Sequence, residues 1–227
     1  MMVVADSAAA QLLASDGCAL WIDWLNRVYL TPRMPPSIRV IAAARSVIRW
    51  HWVTLCDSVP LYQLWTRESV AVLIHALLRL SARRVLEVGA GDGRLTRALH
   101  DALTPYGIRV AGQDDGSWAL RQRTASPVWP LFRESFEATL ASFRPDTVVC
   151  SWMPPETDWT AAFRHCPSVR QYLIIGEAEG GCTGQTSLWY PEAPWMVREL
   201  TPFQAAAAAR TDAPTYSFTR AWVVQRT

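Results

Sequence analysis

Val85-Leu86-Glu87-Val88-Gly89-Ala90-Gly91-Asp92-Gly93-Arg94-Leu95-Thr96 reads as a strand, a glycine-rich turn and the start of a helix. Three alternate glycines let the backbone take positive φ and come close to a ligand, and the helix N-terminus behind them offers free N–H groups. A dinucleotide loop would read G-x-G-x-x-G; here the third glycine comes one residue early and Arg94 stands in its place. The spacing therefore points away from a nicotinamide cofactor.

Outward from this stretch, short apolar runs alternate with helix-like segments. Ile108 to Gln113, Val128 to Phe132, Thr147 to Cys150 and Tyr172 to Ile175 read as strands, while Arg94 to Ala102, Ser117 to Arg123 and Phe136 to Ser142 read as helices. Alternation of this kind predicts a parallel sheet with helices on both faces. Tyr216 to Val224 alternates and predicts a last, edge-proximal strand. Ala205 to Ala209 is helical by propensity. With a hairpin turn at Asp212-Ala213-Pro214-Thr215, however, it becomes the strand paired with the last one, and that topology is the expectation adopted.

Upstream, Asp16 to Leu80 is helical in pattern, broken at Thr31-Pro32-Arg33-Met34-Pro35-Pro36. Thr66 can cap a helix over 67–80, whose Val70, Leu73, Ile74 and Leu77 share one face. In 38–53, Arg39, Arg45 and Arg49 share the opposite face to Val40, Ile41, Ala44 and Ile48, which reads first as a solvated face over a buried one. Residues 1–80 are thus expected to form a helical extension or lid, and 81–227 the ligand-binding domain.

Composition narrows the partners. The 227 residues are 50% hydrophobic and 19% charged, enough for a sizeable core without metal or disulfide staples. All 22 basic residues are arginines, which removes Schiff-base and lysine-base chemistry. Against 20 acids they leave a net charge of +2, so a nucleic-acid partner is not expected from charge. Five cysteines (18, 56, 150, 166, 182) without a C-x-x-C pair indicate neither a disulfide framework nor a zinc site. The first arginine is Arg27 and no apolar stretch is long enough for a membrane span, so a cytoplasmic protein without membrane contact is expected.

The E-x-G-x-G-x-G run from Glu87 to Gly93 resembles motif I of the class I S-adenosylmethionine-dependent methyltransferases. The resemblance implies a doubly wound, mostly parallel seven-stranded sheet, order 3-2-1-4-5-7-6, with the last strand antiparallel. S-adenosylmethionine is the implied cofactor and S-adenosylhomocysteine its product. By the family's pattern Glu87, Gly89, Ala90, Gly91 and Gly93 cradle the cofactor. Asp114, backed by Asp115, takes the ribose hydroxyls, and Glu134, Ser135 and Phe136 surround the adenine. After the next strand comes Ser151-Trp152-Met153-Pro154-Pro155-Glu156, where many relatives that methylate amines carry [N/D/S]-P-P-[Y/F/W]. Met153 and Glu156 replace its polar and aromatic ends. Ser151 and Trp152 remain candidates for the cofactor or acceptor side, and Glu177 and Asp158 for a base that takes an acceptor proton. The implied function is methyl transfer to a small aromatic or amine-containing molecule. The alternatives are a repurposed or non-catalytic cofactor-binding scaffold, and an RNA or protein methyltransferase. A homodimer through the N-terminal helices is a further expectation.

Overall fold

The computed structural model describes Ser37, Arg39, Ile41 and residues 62–117, 129–178, 181–207 and 219–227. Apart from Ser37, Arg39 and Ile41, the expected helices over 16–61 lie outside the described residues, as do the proline break at 31–36, the expected helix over 118–123 and the turn at 212–215. So does the surface through which a homodimer was expected.

Thr66 opens the first helix, α1 (Arg67–Arg79), as expected: its hydroxyl accepts from Ser69 N–H while the Ser69 hydroxyl oxygen accepts from Thr66 N–H. The same Thr66 hydroxyl donates to the Ala206 carbonyl at 2.7 Å, pinning the helix start to a distant part of the chain. There follow β1 (Arg84–Val88), α2 (Arg94–Leu103), β2 (Arg109–Gln113), α3 (Phe136–Phe143), β3 (Thr147–Ser151), α4 (Thr160–His165) and β4 (Gln171–Glu177). The chain ends with β5 (Trp195–Glu199), α5 (Thr201–Ala206) and β6 (Thr219–Arg226).

The six strands form one sheet, order β2-β1-β3-β4-β6-β5, with β1 to β4 parallel and β6 antiparallel to both neighbours. Where a seventh strand was expected, beside β2, a single parallel bridge joins Gln113 to Phe132. Strand side chains alternate between two cores, as a period of two requires. Val85, Val149, Leu173 and Val223 meet α1, α2 and α5 on one face. Leu86, Val148, Cys150, Tyr172 and Val224 meet α3 and α4 on the other. Val70, Leu73 and Leu77 of α1 lie in the first core, so this helix packs as part of the sheet domain.

One expected element is corrected. The strand beside β6 is Trp195–Glu199, whereas Ala205 and Ala206 end α5. Pro202 in the first turn and the helix propensity of alanine start and carry that helix. Trp195 to Glu199 alternates buried and solvent-facing positions, the strand signal that the alanine run lacks.

Gly112 of β2 lies beside Glu87 of β1, and a Cβ on Gly112 would stand 2.3 Å from Thr96 Oγ1 and 2.6 Å from a Leu131 methyl. Glycine here lets α2 sit close to the sheet. Gly112→Ala is expected to cost about 2–3 kcal/mol by overpacking. Urea denaturation measures it, and an unchanged midpoint would contradict the packing argument.

Candidate functional site

β1 and β3 are neighbours, but the chain leaves β1 toward β2 on one side and returns to β3 on the other. This reversal opens a crevice at the carboxyl ends of the strands, where open α/β sheets bind ligands. The loop Gly89–Gly93 forms its floor. Gly89, Gly91 and Gly93 all take positive φ (69°, 58° and 83°), which explains three glycines in five residues. Gly93 precedes α2 and has no side chain to cap it; Asp92 Oδ1 accepts instead from Arg94 N–H at 3.1 Å. A Cβ placed on Gly91 would meet nothing within 4 Å, so the loop is open above its middle glycine. Ala90 N–H donates to the Gln113 carbonyl at 2.9 Å, fixing the loop against the end of β2.

Asp114 follows β2 directly. Its carboxylate accepts from Gly91 N–H at 2.6 Å and from Gly116 N–H at 2.9 Å, which aligns the acid with the loop. Arg133 donates to the Asp114 carbonyl at 3.0 Å. Asp115 is turned to its own loop: its carboxylate accepts from Ser117 N–H at 2.8 Å, and hydrogen bonds from Ser117 hold its carboxyl below the usual range.

Glu87 lies beneath the loop rather than at its rim. It is 2% exposed and its Oε2 accepts from the Thr96 hydroxyl. Burial pushes its carboxyl up to about 8, helped by the neighbouring charges of Asp92 and Asp114. Burial likewise pushes the Cys150 thiol up, which leaves it no nucleophile.

The adenine-side candidates fall at the start of α3. Ser135 caps that helix, accepting from Ala138 N–H at 3.2 Å. Glu134 Oε1 accepts from the Thr139 and Ser142 hydroxyls, both at 3.2 Å, which turns that oxygen toward the helix. Phe136 lies 5.3 Å from the ring of Trp159. Trp159 in turn covers the first glycine, since a Cβ on Gly89 would come within 3.1 Å of its ring. Trp159 is thus an aromatic wall of the crevice that sequence reasoning passed over; its position one residue before α4 was the only signal.

At the end of β3, Ser151 is half-buried beside Ile175, and Trp152 follows with φ +54°. A bulky residue in the left-handed region costs roughly 1–3 kcal/mol and persists only when its surroundings impose it. Here Trp152 N–H donates to the Ile175 carbonyl at 2.8 Å, its Nε1 donates to Gln63 at 3.1 Å, and its ring stacks on Tyr62 at 5.7 Å. The segment before α1 thereby walls the crevice on the acceptor side. Met153 is buried, so it does not replace the polar group of the amine-aligning tetrapeptide.

Glu177 ends β4. Its Oε2 accepts from Cys182 N–H at 3.1 Å, and its own N–H donates to Thr183 at 3.0 Å. Asp158 is engaged elsewhere: Oδ1 accepts from Thr160 N–H at 2.8 Å and from the Thr160 hydroxyl, and Oδ2 stands 3.8 Å from Arg164. It starts α4, and both its oxygens have partners. The structure therefore gathers Gly89–Gly93, Asp114, Phe136, Ser151, Trp152 and Glu177 around the crevice ends. Asp115, Glu134 and Asp158 serve their own loops and helices. Trp65, Trp189 and Trp195 are buried in the cores.

No family model matches the sequence, and no curated relative matches it. Solved structures do. The methyltransferase domain of bacterial CtHen1 aligns with a TM-score of 0.44 and 15% identity over 70% of this chain and 97% of that one. The plantazolicin methyltransferase BpumL, in complex with a triazolic desmethylPZN analog and SAH, gives 0.43 and 10% over 71% and 86%. Human N-acetylserotonin methyltransferase, in complex with SAM, gives 0.42 and 9% over 89% of this chain and 58% of that one. By its own strand order, its antiparallel β6 and the glycine loop after β1, the chain has the class I methyltransferase fold.

Proposed function

We propose that the chain is an S-adenosylmethionine-dependent methyltransferase acting on a small aromatic or amine-containing acceptor. The observation that carries this reading is the closure of Asp114 on Gly91 at the switch point of the sheet, beneath open space. A carboxylate has lone pairs beyond the two backbone bonds Asp114 makes, enough for a pair of ribose hydroxyls. Gly89–Gly93 would hold the amino-acid end of the cofactor and Phe136 with Trp159 its adenine. The group supplies, when bound, a methyl on a sulfonium, a donor that needs positioning more than covalent help.

The protein's own contribution is alignment and proton removal. Trp152, clamped by Ile175, Gln63 and Tyr62, presents a rigid aromatic face on which a flat acceptor can lie. With Met153 buried, orientation falls to Ser151, Trp152 and Glu177. Glu177 is the base for an amine or hydroxyl acceptor, since Asp158 is committed to α4. Glu177→Gln is expected to slow turnover roughly 100-fold or more while cofactor affinity is kept. Steady-state kinetics on an acceptor found by screening aromatic amines and phenols measures this, and unaltered turnover would dismiss Glu177 as base. A cytoplasmic location remains part of the proposal; among the described residues no helix is long and apolar enough to cross a membrane.

A further inference from the structure

The opposite edge of the sheet, at the amino ends of β1 to β4, carries a feature that the crevice does not use. Arg84 pairs in register with Arg109. On the other side of β1, Asp146 N–H donates to the Arg84 carbonyl at 3.0 Å. Arg170 N–H donates to the Asp146 carbonyl at 2.9 Å, and Arg226 N–H to the Arg170 carbonyl at 3.0 Å. Arg109, Arg84 and Arg226, with Asp146 and Arg170 just before β3 and β4, therefore form one row along the ends of five adjacent strands, all at the same level. With neighbouring strands roughly 4.8 Å apart, the row spans about 19 Å.

Like charges on directly opposed residues of paired strands destabilise a sheet unless something offsets them. Asp146 does so only in part. Its carboxylate accepts from Arg83 N–H at 3.0 Å, Arg84 N–H at 3.1 Å and the Thr147 hydroxyl at 2.7 Å, and stands 3.8 Å from the Arg170 guanidinium. Among the described residues, none of Arg84, Arg109 and Arg226 has a carboxylate within 4 Å. Arg84 and Arg109 instead both lie over the Phe143 ring, at 5.0 and 5.8 Å, and Arg226 over Trp195 at 5.2 Å. The Arg226 guanidinium also donates to the Arg164 carbonyl at 3.5 Å. Rings that hold guanidinium planes in place, with their charge left over, prepare the row for an anion rather than for another side chain.

The surroundings favour a polymer with phosphates. Exposed Arg83 and Arg144 flank the row. Beside it lies a hollow of about 260 Å³ lined by Arg170, Arg226, Gln171, Gln225, Thr227 and Leu80, whose side chains are mostly hydrogen-bonding. Tyr106, three residues before Arg109, is 62% exposed. A membrane-binding face would instead carry several apolar anchors among its cations. The row is as long as about five or six stacked nucleotides at about 3.4 Å each.

We propose that this edge binds the phosphate backbone of single-stranded RNA. The chain's net charge of +2 hides it, because four positive residues and one negative one meet here from the ends of five separate strands. The row lies at the far ends of the strands from the crevice, so it anchors RNA whatever the methyl acceptor is, and the proposal is independent of the methyltransferase reading.

The test is fluorescence anisotropy of a labelled oligouridylate of about 12 nucleotides with the full chain, from about 50 to about 200 mM salt. With four phosphate contacts, affinity is expected to fall about 50-fold over that range. In Arg170→Gln/Arg226→Gln, two exposed sites, the fall is expected to shrink to about sevenfold. Arg109→Gln, also exposed, should reduce it as well. Circular dichroism confirms that the variants are folded. Three results would overturn the proposal: no binding at the lower salt, an undiminished salt slope in the double variant, or retention only on phosphatidylserine vesicles.

Discussion

Asp114→Ala is expected to weaken S-adenosylmethionine binding roughly 10- to 150-fold, the equivalent of about 1.5–3 kcal/mol for hydrogen bonds to a charged group. The substitution removes the acceptor on which Gly91 N–H and Gly116 N–H converge, so the middle of the loop loses its tie to the end of β2. Both donors lie where water can replace the carboxylate, and the melting temperature should therefore change little. Titration calorimetry gives the affinity. Unchanged binding would remove Asp114 from the site.

The second large effect is one of pH. Glu87 is buried at the junction of β1 and α2, with its carboxyl raised from 4.5 to about 8 chiefly by burial. Below about pH 4.5 the folded and unfolded chains both hold this proton and the stability that Glu87 contributes is fully present. Between about 4.5 and 8 the unfolded chain releases the proton while the folded chain keeps it, so stability falls as pH rises. Above about 8 both forms are ionised and the loss is complete. The gap corresponds to something on the order of 5 kcal/mol. Glu87→Gln keeps the shape and removes the charge. Urea midpoints of the two proteins should nearly coincide near pH 5, and the variant should be the more stable by a few kcal/mol near pH 8.5. Parallel pH profiles would show that Glu87 is ionised in the fold, and the burial argument would fail.

Much of this arrangement was legible from residues alone because it is written in local patterns. The strand, turn and helix around Gly89–Gly93, the acid after β2 and the Thr66 cap each depend on neighbours a few positions away. β5 was misplaced because topology was set against local propensity at Ala205 to Ala209 and preferred; the local rule holds, since Ala205 and Ala206 end a helix, and the alternation at Trp195–Glu199 went unread. The roles of Glu134 and Asp158 were open for a different reason. An acid near a crevice can turn to a ligand or to its own helix, and the hydroxyls of Thr139, Ser142 and Thr160 decide the matter in three dimensions. Trp159 and the arginine row are further from view still. The first is brought over Gly89 by the path of the chain after β3, and the second needs the registers of five strands before its members meet.

The first measurement is titration calorimetry of the full chain with S-adenosylmethionine and, separately, with S-adenosylhomocysteine. Binding of both in the micromolar range is the predicted result, since in the proposed site Asp114, the glycine loop and the Phe136–Trp159 pair would contact parts that donor and product share. Absence of heat with either compound, in a protein shown to be folded, would contradict the assignment of the crevice as a cofactor site.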